Sequence, residues 1–190
     1  VESLNIVDVE NLYVDKEEDF KPLFDDIVEI FNSYDVLTDN FNKQEDGING
    51  IYYINEQVEK STDSATVKVD KKLYDLLSFG LKISEDTNGY FDMTIGKIVD
   101  VWKELIKDYP TGAIIEDSLI EETIAKAKLI PVIENPITLF KEGNEFFITM
   151  KKGAKLDLGA LAKGYAVERV REYLASKGIK KYNVSGGTSS

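Results

Sequence analysis

Between residues 155 and 187 the chain punctuates itself so closely that few folds accommodate it. Lys-Leu-Asp-Leu runs into Gly159, an apolar set follows at helical spacing, Gly178 interrupts it, and Lys-Tyr-Asn-Val-Ser leads to the pair Gly186-Gly187. The pattern predicts a short strand over residues 155–158 that turns through Gly159 into a helix carrying Leu161, Tyr165, Val170 and Leu174 toward a core. Gly178 stops that helix, and residues 181–185 read as a second strand. A helix that starts in a glycine-bearing turn points unpaired N–H groups and a partial positive charge at whatever precedes it, which suits a phosphate or a carboxylate. Asp157 and Lys163 flank that point. Two readings stand side by side. Asp157 is a helix N-cap, with Gly159 and Gly164 present for tight packing. Or the turn is a diphosphate site, with Asp157 binding a sugar, a ring or a metal-bound water and Lys163 balancing phosphate charge. No common phosphate-loop pattern fits the stretch.

Composition narrows the chemistry. The chain has no Cys and no His, which removes disulfides, thiol chemistry, zinc sites of the usual kind and every His-dependent triad. Acid–base or metal work falls to Asp, Glu, Lys, Tyr, Thr and backbone carbonyls, and oxygen ligands of that sort suit magnesium or calcium. Thirty-five acidic against 23 basic residues give a net charge of −12, which argues against nucleic acid or a basic membrane-binding face as partner. No run of eighteen apolar residues exists, so no transmembrane segment is expected in these 190 residues. The sequence opens on Val1, and the expectation is a processed product or a trimmed chain, in which any export signal would not be visible.

Taken in order, residues 4–9 and 12–14 read as strands. Phe20, Leu23, Phe24, Ile27, Ile30, Phe31 and Tyr34 recur at threes and fours as an amphipathic helix, with Pro22 tolerated in its first turn. Residues 34–42 read as a loop, either a plain connection or one whose Phe41 offers a flat face for a ring. A short helix over 51–58 and a strand over 65–69 follow. Asp70 then caps a helix bearing Leu73, Leu76, Leu77 and Leu81 that ends at Asn88-Gly89. The next stretch, Gly-Tyr-Phe-Asp-Met-Thr-Ile-Gly from Gly89 to Gly96 with Trp102 beyond it, also reads two ways. Asp92 or Thr94 caps a helix whose Ile98, Val101, Trp102 and Leu105 enter the core, or Tyr90, Phe91, Asp92 and Thr94 line a ligand cleft at a helix N-terminus. Residues 109–112 form a turn and 116–128 an exposed charged helix. Residues 129–133, 137–141 and 145–150 read as strands, the last two joined as a hairpin through 142–144. The sum is an α+β layered fold of short, partly antiparallel strands packed with helices. A glycine pair just past a strand gives the expectation that the chain is cut near Ser190.

The two informative stretches together resemble the FAD:protein FMN transferase family, the ApbE-type flavin transferases formerly labelled thiamine-biosynthesis lipoproteins. Gly89, Phe91, Asp92, Thr94, Gly96 and Trp102 match one family pattern, residues 157–166 a second, and Gly186 and Gly187 a third, in order and in spacing. The region of residues 39–55 resembles the family segment that precedes an Ile-Asn pair. The resemblance implies a Mg²⁺-dependent enzyme that transfers the FMN half of FAD, through a phosphoester, to a Thr of a target flavoprotein and releases AMP; some members hydrolyse FAD to FMN and AMP. A diphosphate under attack needs its charge neutralised, which a metal ion and a helix N-terminus supply without His. Carried over residue by residue, Tyr90, Phe91, Asp92 and Asp157 are FAD contacts and Lys163 lies near the flavin nucleotide. The Ala160 carbonyl helps to ligate magnesium, and Phe41 replaces a Tyr that lies against the flavin ring. Thr94 lines the same cleft, and the base that deprotonates the acceptor stays unknown.

The same resemblance makes residues 1–190 one flavin-transferase-like region lacking the family's C-terminal part, which carries an Asp and a Thr of the metal site. It implies an extracytoplasmic place, in the periplasm or as a membrane lipoprotein whose lipid anchor would belong to the precursor. A different class stays open beside it: a non-catalytic FAD-binding module. FAD pyrophosphatase activity is the enzymatic alternative.

Overall fold

The computed structural model describes residues 8–12, 17–110 and 112–187. Strand β1 (Asp8–Leu12) leads, past a 3-10 turn at Glu17–Asp19, into helix α1 (Phe20–Thr38). The apolar repeat in α1 buries Ile27, Phe31, Tyr34 and Leu37. The helix runs to Thr38, four residues beyond the expected exit at Tyr34, because Leu37 continues the buried stripe. Helix α2 (Ile51–Lys60) seats Ile51, Ile54 and Val58 on the same core. Strand β2 (Ser64–Val69) follows, then helix α3 (Lys71–Asp86), whose cap is the expected one: the Asp70 carboxylate accepts from the Lys72 N–H at 2.7 Å.

Helix α3 stops where predicted. Asn88 and Gly89 take positive φ of 52° and 80°, and the Gly89 N–H returns to the Ser84 carbonyl at 2.8 Å. Helices α4 (Gly96–Ile106) and α5 (Asp117–Lys128) pack on one another, and the hairpin β3 (Ile137–Glu142) and β4 (Glu145–Lys151) turns through Gly143 and Asn144. Helix α6 (Ala162–Ser176) and strand β5 (Tyr182–Ser185) complete the described order.

Among the described residues the strands form two antiparallel sheets. One has the order β2-β4-β3, with Val67 opposite Ile148 and Leu139 opposite Ile148 on its other flank. Its inner face carries Val67, Val69, Ile148 and Met150 into the core beneath α1, α2 and α3. Its outer face carries the hydroxyl pair Thr66 and Thr149 at 2.7 Å and the stacked rings of Phe140 and Phe147. The other sheet is a ribbon of β1 with β5, paired Asp8 to Ser185 and Leu12 to Tyr182 around a bulge. Strands, helices and layers thus match the α+β expectation.

Four local expectations fail. Residues 155–158 make one parallel bridge, Lys155 with Ile95, because their neighbour is a loop. Residues 129–133 form no strand: Leu129 is 84% exposed and Val132 64%, and Pro131 lacks the N–H that a ladder requires. On α4 only Gly96 is buried; Trp102 is 36% exposed and Ile98, Val101 and Leu105 are half-buried, so this apolar stripe is not core. Helix α6 begins at Ala162, three residues past Gly159. The strand expected at 4–9 is described only from Asp8 on, and 13–14 lie outside the described residues.

Candidate functional site

Three connections converge on one face: residues 39–50 between α1 and α2, 87–95 before α4, and 152–161 before α6. In the first, Asp39 organises its own loop. One carboxylate oxygen accepts from the backbone N–H groups of Phe41 at 2.7 Å and Asn42 at 3.1 Å; the other accepts from the side-chain amides of Asn42 and Gln44 at 2.9 and 3.0 Å. The turn projects Phe41 outward, 57% exposed, an open aromatic face.

In the second connection Thr87 Oγ1 accepts from the Phe91 N–H at 3.1 Å, and Phe91 tucks against the core while Tyr90 stands 96% exposed. Asp92 and Thr94 do not cap α4; its N-cap is Ile95, with no side-chain bond. Instead Asp92 Oδ1 accepts from both the N–H and the hydroxyl of Thr94, each at 2.7 Å, a closed Asx turn that locks Met93 inward.

The third connection lies directly against the second. The Asp157 N–H donates to the Met93 carbonyl at 2.9 Å, the Lys155 N–H to the Thr94 carbonyl at 3.0 Å, and the Gly96 N–H to the Lys155 carbonyl at 2.8 Å. Stretches some sixty residues apart in sequence are thereby one piece of backbone. Asp157 is likewise no cap of α6, whose N-cap is Leu161. Its Oδ1 accepts from the Gly159 N–H at 3.0 Å, its Oδ2 pairs with Lys103 Nζ at 2.7 Å, and its side chain is only 12% exposed. The bland reading of both acids, as helix caps, is therefore set aside.

The Lys103 ammonium also lies 4.8 Å from the centroid of the Phe41 ring. One side chain on α4 thus ties together Phe41 and Asp157. Asn55 on α2 makes a second tie: its Oδ1 accepts from the Leu156 N–H at 2.8 Å, and its Nδ2 donates to the Leu156 carbonyl at 3.0 Å and to Asn40 Oδ1 at 2.8 Å. Lys163 lies half-buried in the first turn of α6. A Cβ on Gly186 would stand 3.5 Å from the Lys163 carbonyl, so the glycine pair runs close beside that turn. Ala160 is exposed in the turn before α6. A cleft of about 1290 Å³ between α1 and the start of α3 is lined by Gly47, Ile48 and Asn49 from the far end of the first connection but by none of Phe41, Lys103, Asp92 or Asp157.

The sequence names Phe41, Tyr90, Phe91, Asp92, Thr94, Asp157, Lys163 and Ala160 as candidates, and the structure sets Phe41, Asp92, Thr94 and Asp157 on the three joined connections, with Tyr90 and Ala160 exposed on them and Lys163 in the first turn of α6. Sequence reasoning missed Lys103 and the bracket made by Asn55. Lys103 directly follows Trp102 of the motif, and the Asn of the Ile-Asn pair is Asn55; neither signal said what the side chain would hold. Among the described residues no three acidic side chains gather as a metal cage. The described residues therefore supply no carboxylate cage for the six-oxygen shell that magnesium takes, and the Ala160 carbonyl is the oxygen that the resemblance assigns to it.

Burial pushes the Asp39 carboxyl upward, but the side-chain amide of Asn42 and the N–H groups of Phe41 and Asn42, with help from Gln44, outweigh it and hold the group below the usual carboxylate value. A depressed carboxylate stabilises the fold above its unfolded pKa of about 3.9 and loses that contribution as pH falls through the lower folded value. The expected result is that the Phe41 and Asn42 amide resonances move together in an acid titration below about pH 4. In Asp39→Asn the step is absent. A titration in which both proteins respond alike would refute the assignment.

A family model described as the ApbE family matches residues 9–189. An FAD:protein FMN transferase of Buchnera aphidicola subsp. Schizaphis graminum is 28% identical over 128 residues, 63% of this chain and 34% of that protein. One of Klebsiella pneumoniae is 24% identical over 127 residues, 67% of this chain and 35% of its own length. In fold, the flavin transferase ApbE of Vibrio cholerae superposes with a TM-score of 0.59 at 22% identity, over 92% of this chain and 50% of that one. The flavinyl transferase ApbE of Pseudomonas stutzeri superposes with 0.61 at 19% identity, over 87% and 46%. The chain spans about half the length of these structures, and its match covers about a third of the relatives' length.

Proposed function

The chain belongs to the ApbE family, and on that premise we propose that the protein it represents is a flavin transferase acting on FAD. The observation that carries the reading is the backbone seam in which Met93, Thr94 and Gly96 bond to Lys155 and Asp157, because it makes a single face of the family's motifs. In this reading Phe41 supplies a stacking face for the flavin ring, Tyr90, Phe91, Asp92 and Thr94 line the nucleotide cleft, and Asp157 and Lys163 flank the diphosphate. The hydroxyl oxygen of an acceptor Thr attacks the phosphorus on the FMN side. A new phosphoester forms, the bridging P–O bond breaks, AMP leaves with the bridging oxygen, and the hydroxyl proton passes to a base. Magnesium, when bound, would neutralise charge on the diphosphate, with the Ala160 carbonyl as this chain's contribution. The acceptor flavoprotein, a place outside the cytoplasm and a lipid anchor belong to the same proposal, on the strength of the resemblance alone.

The test supplies the full-length protein with FAD, Mg²⁺ and a Thr-bearing acceptor. The expected result is an acceptor heavier by one FMN and one AMP released per transfer. AMP with free FMN and no modified acceptor would replace the proposal by a pyrophosphatase. Saturable FAD binding with no AMP would replace it by a carrier or storage module.

A further inference from the structure

Both oxygens of Asp157 are engaged, one by the Gly159 N–H and the other by Lys103, and the carboxylate is nearly covered. What the site presents to an incoming ligand beside Asp157 is therefore a cation. Lys103 keeps 38% of its side chain exposed, and an ammonium has three donors, of which Asp157 takes one. Its position is set from two directions, by the Asp157 carboxylate at 2.7 Å and by the Phe41 ring at 4.8 Å. Helix α4 sets its base, and Gly96 at the start of that helix is bonded to Lys155 two residues before Asp157. A bare aspartate at this spot would repel a diphosphate. An ammonium braced by that aspartate attracts one and retains part of its charge toward solvent.

We propose that Lys103 is the side chain through which this site contacts the diphosphate of a dinucleotide, and that Asp157 acts as its positioning residue. The inference rests on the FAD reading for the identity of the natural ligand, but not for the anion contact itself. Lys103 then determines specificity: it favours ligands that carry phosphates over the bare flavin ring, which Phe41 receives without regard to charge.

The experiment titrates wild type, Lys103→Met, Lys103→Arg, Asp157→Asn and the double variant Lys103→Met with Asp157→Asn by calorimetry. FAD, ADP and riboflavin are the three probes, and thermal melts run on every protein. Lys103→Met is expected to weaken FAD and ADP about tenfold, the size of a lost hydrogen bond to a charged group, and to leave riboflavin within about twofold. Lys103→Arg restores most of the loss. Asp157→Asn gives a similar split between phosphorylated and bare ligands, and the double variant is no worse than Lys103→Met alone. FAD and ADP affinities unchanged in Lys103→Met, or all three ligands weakened equally, would overturn the inference, as would a wild type that binds none of them. A wild type that binds ADP but not FAD or riboflavin, with ADP lost in Lys103→Met, would sink the flavin reading and leave the role of Lys103 standing.

Discussion

Gly96→Ala is expected to lower the melting temperature by roughly 6–12 °C and to abolish measurable FAD binding. A Cβ at this position would lie 2.7 Å from the Lys155 carbonyl oxygen and 3.2 Å from that of Leu156. Both are backbone atoms and cannot swing aside, so the two segments must part. Parting them strains or breaks the bond from the Gly96 N–H to Lys155 and, through it, those from Lys155 to Thr94 and from Asp157 to Met93. Overpacking against backbone with loss of a buried hydrogen bond costs about 3 kcal/mol, which the size of this chain converts to the stated shift. Gly164 supplies the control. Nothing lies within 4 Å of a Cβ built there, and its place in the first turn of α6 favours Ala. Gly164→Ala therefore melts at the wild-type temperature or slightly above it. If Gly96→Ala melts with wild type as well, the seam is not what holds the site together.

Asn55→Ala is expected to cost about as much by a different route. Leu156 is fully buried, and Asn55 satisfies both its N–H and its carbonyl while also holding Asn40. Truncation leaves two backbone groups unpaired away from water, at about 1–3 kcal/mol for each. It also frees residue 40 beside the Asp39 turn, so the ring of Phe41 loses its fixed place. The expected observations are a loss of stability of about 3 kcal/mol in urea and a weaker response to riboflavin, whose binding depends on the ring face. Asn55→Asp separates the two halves of the bracket. Its carboxylate still accepts from the Leu156 N–H but sets a charged oxygen against the Leu156 carbonyl and Asn40 Oδ1, so it should be no more stable than Asn55→Ala. A urea midpoint for Asn55→Ala equal to that of wild type would show the bracket to be idle.

The elements that the sequence predicts well are those whose signal is local. The threes and fours pick out Ile27, Phe31 and Tyr34 on α1, Leu73, Leu76 and Leu77 on α3, and Tyr165, Val170 and Leu174 on α6, because helix geometry decides which side chains share a face, while Phe20 is exposed and Leu161 lies before α6. The Asp70 cap, the stop at Asn88 and Gly89 and the turn at Gly143 are written in residues that favour those conformations. What fails depends on partners. The stripe of Ile98, Val101, Trp102 and Leu105 states which face of α4 is apolar but not what covers it. Residues 155–158 have strand character, yet they meet the loop at 93–96 and so make a single bridge. The motif acids were legible as important residues and not as what they do: Asp92 closes a turn on Thr94, and Asp157 holds a lysine 54 positions away. No periodicity encodes a pair at that separation, so the apolar stripe around Lys103 says nothing of what its side chain holds.

The ribbon of β1 and β5 has a mechanical consequence. Because the strands are antiparallel, with Asp8 facing Ser185 and Leu12 facing Tyr182, the backbone that enters β1 and the backbone that leaves β5 lie at the same end. A force pulling those two backbone ends apart therefore loads one rung of the ladder at a time, beginning at Asp8 and Ser185. The ribbon opens as a zipper rather than resisting in shear, and it relieves tension before the seam between Gly96 and Lys155 feels any of it.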